Sequence, residues 1–114
     1  MRVQPYVVIL ILVFCSFALA SSRSQRVHGA AVFAESGCQH CHTMQHVGGH
    51  QGPDLSGVGR RKSKAAMRKQ IVYGSKVMPP FGDVLEPDEL NDLIAYLRSC
   101  REKAATPPRA PSSN

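Results

Sequence analysis

The run Cys38-Gln39-His40-Cys41-His42 constrains this chain more than any other feature. Two thiols separated by two residues, with an imidazole directly after the second, form the attachment signature of a c-type haem. The spacing has a chemical reason. Each cysteine sulfur forms a thioether to one vinyl group on an edge of the porphyrin, and the two residues between let the backbone loop from one bond to the other. The adjacent histidine is carried beneath the ring, where its imidazole binds the iron axially. Other uses of a CxxC pair fit less well. A zinc site needs a second pair of ligands, and Cys15 and Cys100 do not form one. A thioredoxin-like redox pair would sit in a βαβ setting, and no such pattern is visible.

The N-terminus has the pattern of an export signal. Arg2 precedes an uncharged apolar run, Val7 to Ala20, which ends in the small-x-small triplet Ala18-Leu19-Ala20 before Ser21. That run is fourteen residues long, short of the ~18–20 needed to span a bilayer. Residues 1–20 are therefore expected to be a cleaved signal peptide, with an uncleaved membrane anchor as the competing expectation. Export and motif agree, because covalent haem attachment takes place beyond the cytoplasmic membrane in bacteria; the expected location is the periplasm. With Cys15 discarded, Cys38, Cys41 and Cys100 remain, and Cys100 is left over as a free thiol or an intermolecular link, a solvent-facing or half-buried free thiol being the leading expectation. The end of the chain, 104–114 (AATPPRAPSSN), has no large apolar residue and reads as a disordered tail. One domain is left at 21–103, a length at which a polypeptide core alone is marginal. A buried porphyrin would enlarge that core, and a chain of 114 residues without tryptophan is consistent with a cofactor at its centre.

Within the domain, Gly29 to Ser36 is rich in helix formers and Gly37 is placed to end a short helix. A glycine-rich loop is expected from Thr43 to about Gly59. A second helix is expected from about Lys64 to Tyr73, broken by Gly74-Ser75, followed by an extended Met78-Pro79-Pro80-Phe81 loop. The last helix is the clearest. Pro87 sits in its first turn with Asp88 and Glu89 beside it, Leu90, Leu93, Ile94 and Leu97 recur at helical spacing, and Arg98, Arg101 and Lys103 crowd the far end. No run alternates as a strand, so the fold class is all-α.

His42 is the proximal ligand on the motif alone. For the iron's other face, Met1 leaves with the signal, and Met44 is only two residues past His42. Met67 lies in a helical stretch, where methionine is ordinarily core packing. Met78 stands before two prolines, 36 residues after His42. It is the leading candidate, with Met67 or a histidine as alternatives. His40, His46 and His50 read as exposed loop imidazoles, and a secondary metal site built with His40 is a weaker option.

Over residues 28–102 the sequence resembles the class I cytochrome c family. Gly29 and Phe33 with Tyr96 and Leu97 resemble its crossing terminal helices, Gly52-Pro53-Asp54-Leu55 its loop after the haem histidine, and Met78-Pro79-Pro80-Phe81 its axial-methionine loop. The resemblance implies a cytochrome c fold, with three main short helices and loops wrapped around one covalently bound haem c. It implies Met78 as the sixth ligand and the Pro53 carbonyl as acceptor for the distal N–H of His42. The stretch between His42 and Pro53 departs from the family, as does the missing tryptophan, which leaves Arg60 and Tyr73 as candidates for the propionates.

Iron with both axial positions filled has no vacancy for a substrate, so the expected chemistry is outer-sphere electron transfer and not enzymatic catalysis. A soft thioether ligand and a buried ring both favour the ferrous state and raise the potential. The expected protein is an exported, monomeric one-electron carrier. The alternative is a subunit or docking module of a membrane oxidase or a periplasmic dehydrogenase. Fourteen Lys and Arg outweigh eight Asp and Glu, and the two signs are segregated. Arg60, Arg61, Lys62, Lys64, Arg68, Lys69 and Lys76 form a basic stretch, and Asp83, Glu86, Asp88, Glu89 and Asp92 follow it. Redox partners are expected to dock by acidic patches on Arg60, Arg61, Lys62, Lys64 and Lys76. Nucleic acid is not expected, since the basic stretch lacks interleaved aromatics and the chain is exported. Stable membrane insertion is not expected once the signal is cleaved.

Overall fold

The computed structural model describes residues 4–102, so the expected tail at 104–114 and Lys103 lie outside the described residues. The order is α1 (Pro5–Glu35), a single 3-10 turn (Cys38–His40), β1 (Thr43–Met44), β2 (Val47–Gly48), α2 (Val58–Arg61), α3 (Lys64–Tyr73) and α4 (Pro87–Ser99). The chain is mostly helical, as the sequence predicts, and compatible with a cytochrome c fold.

The short helix expected at Gly29–Ser36 is only the end of α1, which runs for 31 residues. Nothing between Ala20 and His28 is a proline or glycine, and a helix once nucleated propagates through such residues. The apolar N-terminal part is exposed, from Tyr6 to Leu19. By length and composition alone α1 is able to cross a membrane, and an N-terminal signal sequence meets the same test. Its last turns belong to the domain: only Gly29, Val32 and Phe33 are buried. The helix ends as predicted, with Gly37 in the left-handed region at φ 74°.

The core forms where α1 crosses α4. In α4, Pro87 opens the first turn and the Glu89 carboxylate accepts the Glu86 N–H at 2.9 Å. Leu90, Leu93, Ile94 and Leu97 then present one buried stripe. Against this stripe α1 places Gly29, where a Cβ would strike the Asp92 carbonyl and lie 2.8 Å from the Tyr96 Cβ. The backbones meet because no side chain intervenes. Phe33 and Tyr96 pack edge to face beside the crossing, 5.8 Å between centroids and 61° between planes. His28 Nδ1 and Asp92 Oδ2 stand 2.8 Å apart on its rim.

In α3, the Ser63 hydroxyl caps the Ala66 N–H at 3.2 Å, and Met67 and Ile71 face the core. The four-residue α2 is too short to be stable by itself. It is held by the segment after α4: Gly59 N–H donates to Cys100 O at 2.8 Å, Glu102 N–H to Ser56 O at 3.1 Å. Arg98 and Arg101 donate to the Gly59 carbonyl at 3.3 and 3.0 Å, and Arg60 donates to Arg101 O at 2.6 Å.

One departure from the expected irregular loop is a two-stranded antiparallel hairpin, with Met44 opposite Val47 and Thr43 opposite Gly48. Its two-residue turn puts Gln45 at φ 50° and His46 at φ 68°, the left-handed pair that a tight hairpin demands. Neither residue is a glycine. Gln45 is tied down, its N–H donating to Ser56 Oγ at 2.8 Å and its amide to Glu102 at 3.0 Å. His46 is simply exposed. The left-handed region costs a non-glycine residue ~1–2 kcal/mol, more than the ~0.5–1 kcal/mol of chain entropy a glycine forfeits. His46→Gly is therefore expected to stabilise the folded protein by about 0.5–1 kcal/mol, measured as a higher midpoint in guanidinium unfolding.

Candidate functional site

The cysteine motif begins where α1 ends. The backbone turns at Gly37, and the His42 N–H returns to Cys38 O at 2.9 Å, closing the motif on itself. This puts Cys38 and His42 on one apolar cleft, and Met78 on the same cleft. Phe33, Leu55, Ile71, Phe81, Leu85, Leu93 and Leu97 form the walls, with Ser36 as the one hydroxyl and no charged side chain.

His42 is held from behind. Its Nδ1 lies 2.8 Å from the Pro53 carbonyl. A carbonyl only accepts, so Nδ1 carries the proton, and Nε2 of the neutral ring is the free lone pair. Gly52 makes this approach possible: a Cβ there would fall 2.6 Å from His42 Cε1 and 2.7 Å from Nδ1. Its own N–H is bound to Cys41 O at 2.7 Å, so the loop has little room to retreat.

Met78 is held by its backbone. The Met78 N–H donates to Ser75 Oγ at 3.2 Å, and the Met78 carbonyl accepts the Ser75 N–H at 2.8 Å. Beyond it, Phe81 N–H donates to Ile71 O at 2.9 Å and Gly82 N–H to Val72 O at 3.2 Å, which stitches the Met-Pro loop to the end of α3. The sulfur is within 3.6 Å of Gln70 Nε2.

The two cysteines differ in setting. Cys38 is half-buried in the cleft wall, and burial pushes its thiol above the usual range, with the nearby Cys41 adding to the effect. Cys41 is not part of the wall; its thiol donates to Gln51 Oε1 at 3.3 Å. Cys100 is a half-buried free thiol, donating to Tyr96 O at 3.4 Å, and burial raises its pKa as well.

The other histidines do not assemble. His50 Nδ1 lies 3.2 Å from Thr43 Oγ1, whose hydroxyl already donates to Gly49 O at 2.7 Å; Nδ1 is therefore the donor, and the ring braces the hairpin. His40 sits over Gly37, and His46 is at the hairpin tip. Among the described residues no group of three or more His, Cys, Asp or Glu side chains is placed to hold a metal. The secondary metal site with His40 is not found among the described residues: His50 is bound to Thr43 and His46 is exposed at the hairpin tip.

Of the expected docking residues, Arg60 and Arg61 are turned to backbone carbonyls, of Arg101 and Asp54 respectively, while Lys62, Lys64 and Lys76 are exposed. Tyr73 is exposed too. Gln51, Gln70 and the cleft residues Leu55 and Leu85 were invisible to the spacing rules, since none lies on a periodic stripe. Among the described residues Asp54 is the one carboxyl with a clear shift: hydrogen bonds from the Ser56 hydroxyl and N–H hold it below the ordinary range.

These residues fit a haem. The cleft offers an apolar wall, an imidazole held through Nδ1, a thioether and a thiol, the donor set of an iron porphyrin with a covalent edge. Together with the fold they define a c-type cytochrome of the small monohaem class. The sequence model of the family described as cytochrome c oxidase, cbb3-type, subunit III matches residues 25–97, well over half of the chain, and the chain belongs to that family. No curated protein and no solved structure matches it closely enough to add a relative or a neighbour. It is an electron-transfer haem protein.

The closeness of Gly52 to the His42 ring carries a prediction. Gly52→Ala overpacks this contact at a cost of about 1–3 kcal/mol, and is expected to lower the fraction of purified protein that carries haem, read from the ratio of Soret to protein absorbance. An unchanged ratio would mean the loop gives way without disturbing His42.

Proposed function

We propose that the protein is an exported one-electron carrier of one haem c, which Cys38 and Cys41 would hold covalently and whose iron His42 and Met78 would ligate. When bound, the haem iron supplies a ferrous–ferric couple. The chain's part is to hold its ligands still and keep water from them. Pro53 fixes the His42 tautomer through Nδ1, and the accepted hydrogen bond raises the basicity of the free nitrogen. The loop bonds at Ser75, Ile71 and Val72 limit movement of the Met78 backbone. An uncharged wall disfavours the more charged ferric state. The observation that carries this reading is the presence of Cys38, His42 and Met78 on one apolar cleft.

Met78→Ala tests it. The variant is expected to lose the thioether–iron charge-transfer band, to bind carbon monoxide readily when reduced, and to have a lower potential. An unchanged ferric spectrum and potential would remove Met78 from the iron.

A second reading has its own support. The family is described as an oxidase subunit, and the apolar part of α1 continues without a break into the packed part. On that reading residues 1–20 are retained as an anchor and the domain serves a membrane oxidase; on the first they are cleaved as a signal and the protein is periplasmic. For the free carrier, Lys62, Lys64 and Lys76 would steer encounter with acidic partners, aided by the fixed charges of Arg60 and Arg61. Purification separates the two. A soluble monomer beginning near Ser21, whose oxidation by membranes slows as salt is raised, is the outcome for the carrier; co-purification with an oxidase in detergent is the outcome for the subunit.

A further inference from the structure

We propose that Gln51 is a positioning residue for covalent haem attachment, holding the Cys41 sulfur in place while its thioether forms. This rests on the reading of Cys38 and Cys41 as the attachment residues. The two thiols are presented differently. Cys38 packs against the hydrophobic core and lines the cleft. Cys41 belongs to neither the core nor the wall; its thiol donates to Gln51 Oε1 at 3.3 Å, the one side-chain hydrogen bond of Gln51 among the described residues. Gln51 is itself carried by backbone that the cysteine motif holds. On one side of it Gly49 N–H donates to Gln39 O at 2.9 Å, and on the other Gly52 N–H donates to Cys41 O at 2.7 Å. His50, directly before Gln51, is bound through Nδ1 to Thr43 Oγ1 at 3.2 Å. Segment 49–52 therefore lies along residues 39–41, and the amide meets the thiol from a fixed base. This segment falls in the stretch between His42 and Pro53 where the sequence departs from the cytochrome c family, so the arrangement is this chain's own.

Attachment adds a thiol across a vinyl double bond of the porphyrin. A carbon–sulfur bond forms, the thiol hydrogen goes to the other vinyl carbon, one π bond is lost, and no oxidant or reductant is consumed. The sulfur has to face the vinyl carbon for this to happen, and an unrestrained cysteine spends its time among several staggered rotamers. An acceptor beside the thiol favours one of them and leaves the sulfur lone pairs free to bond carbon. Once the thioether has formed there is no hydrogen left to donate, so the bond serves attachment and not the finished iron site. A thiol is a weak donor, so loss of this bond corresponds to about a two- to three-fold change in the population of the held rotamer, the low end for a hydrogen bond. Gln51 is exposed, and its replacement removes no core contact.

The test follows the full chain as it matures in bacterial cells that attach haem covalently, sampled through a short pulse of synthesis. Free thiols are alkylated after denaturation, and the peptide holding residues 38–42 is analysed by mass spectrometry for haem and for alkylation at each cysteine. Gln51→Leu removes the acceptor, whereas Gln51→Glu keeps an acceptor oxygen at the same length. In the Leu variant the share of haem-bearing peptide with a free Cys41 is expected to rise about two- to three-fold over the parent at matched times, with free Cys38 unchanged. The Glu variant is expected to match the parent. A general loss of structure would leave both cysteines free together, so Cys38 is the internal control. An unchanged share of free Cys41 in the Leu variant, an equal rise at both cysteines, or a Glu variant that behaves like Leu would overturn the proposal. Failure of the attachment reading gives a different result: the parent peptide then carries no haem on either cysteine, and the role of Gln51 falls with it.

Discussion

The close approach of α1 and α4 at Gly29 is the contact on which the rest of the domain depends. Because the Gly29 backbone rests against the Asp92 carbonyl, Phe33 reaches Tyr96 one turn later and fills the angle between the helices. The same Phe33, with Leu93 and Leu97, then forms a wall of the cleft. The crossing also fixes the direction in which α1, ended by Gly37, delivers Cys38 to the cleft. A side chain at position 29 would push the helices apart and tilt the start of the cysteine motif away from the wall that α4 provides. Packing and site are one construction here, and a loss at the crossing is a loss at the cleft.

The basic stretch has two duties that charge counting merges. Arginine carries several donors in a planar fork and can serve more than one carbonyl. Arg98 bonds the carbonyls of Gly59 and Lys62, Arg101 that of Gly59, Arg60 that of Arg101, and Arg61 that of Asp54. Apart from the bond to the Asp54 loop, these bonds satisfy backbone groups in α2 and just past the ends of α2 and α4, which short or fraying helix ends leave unpaired. The lysines make up the flexible remainder. An arginine's charge still contributes to the field of this face, but its geometry is fixed by the fold, so in the proposed docking adaptation to a partner would fall to Lys62, Lys64 and Lys76.

How much of this could be read from the sequence depends on whether a residue's role is local. The Lys64–Tyr73 helix and the helix opening at Pro87 follow from caps, breakers and a period of apolar residues, and both are found where expected. The His42–Pro53 contact came with the family resemblance, and the structure contains it. The extent of α1 was misread, because a processing pattern at Ala20 says nothing about where a helix ends; only a breaker does, and the next glycine is Gly29, inside the helix. The hairpin was missed for another reason. Strands of two residues have no alternation to detect, and Gln45-His46 lacks the glycine that marks such a turn. Gln51 and Gln70 each meet the site through a single contact, with Cys41 and Met78 respectively, which no spacing rule encodes.

Neither proposed axial ligand sits inside a helix. His42 follows a single 3-10 turn, and Met78 lies between a broken helix and two prolines. Irregular backbone is ordinarily mobile, yet an outer-sphere carrier works best when its ligands barely move between oxidation states, since an organised site has little rearrangement left to make. The chain resolves this by tying each segment to the end of a regular element. The His42 segment is bound back to the Cys38 carbonyl just past α1 and to the Gly52-Pro53 loop. The Met78 segment is bound to the last carbonyls of α3, at Ile71 and Val72. Helix C-termini are suited to this task because their last carbonyls have no partner within the helix. The carbonyls that α3 leaves unpaired are those that restrain the Met78 loop, so the end of this helix supplies rigidity where the proposed electron carrier requires it.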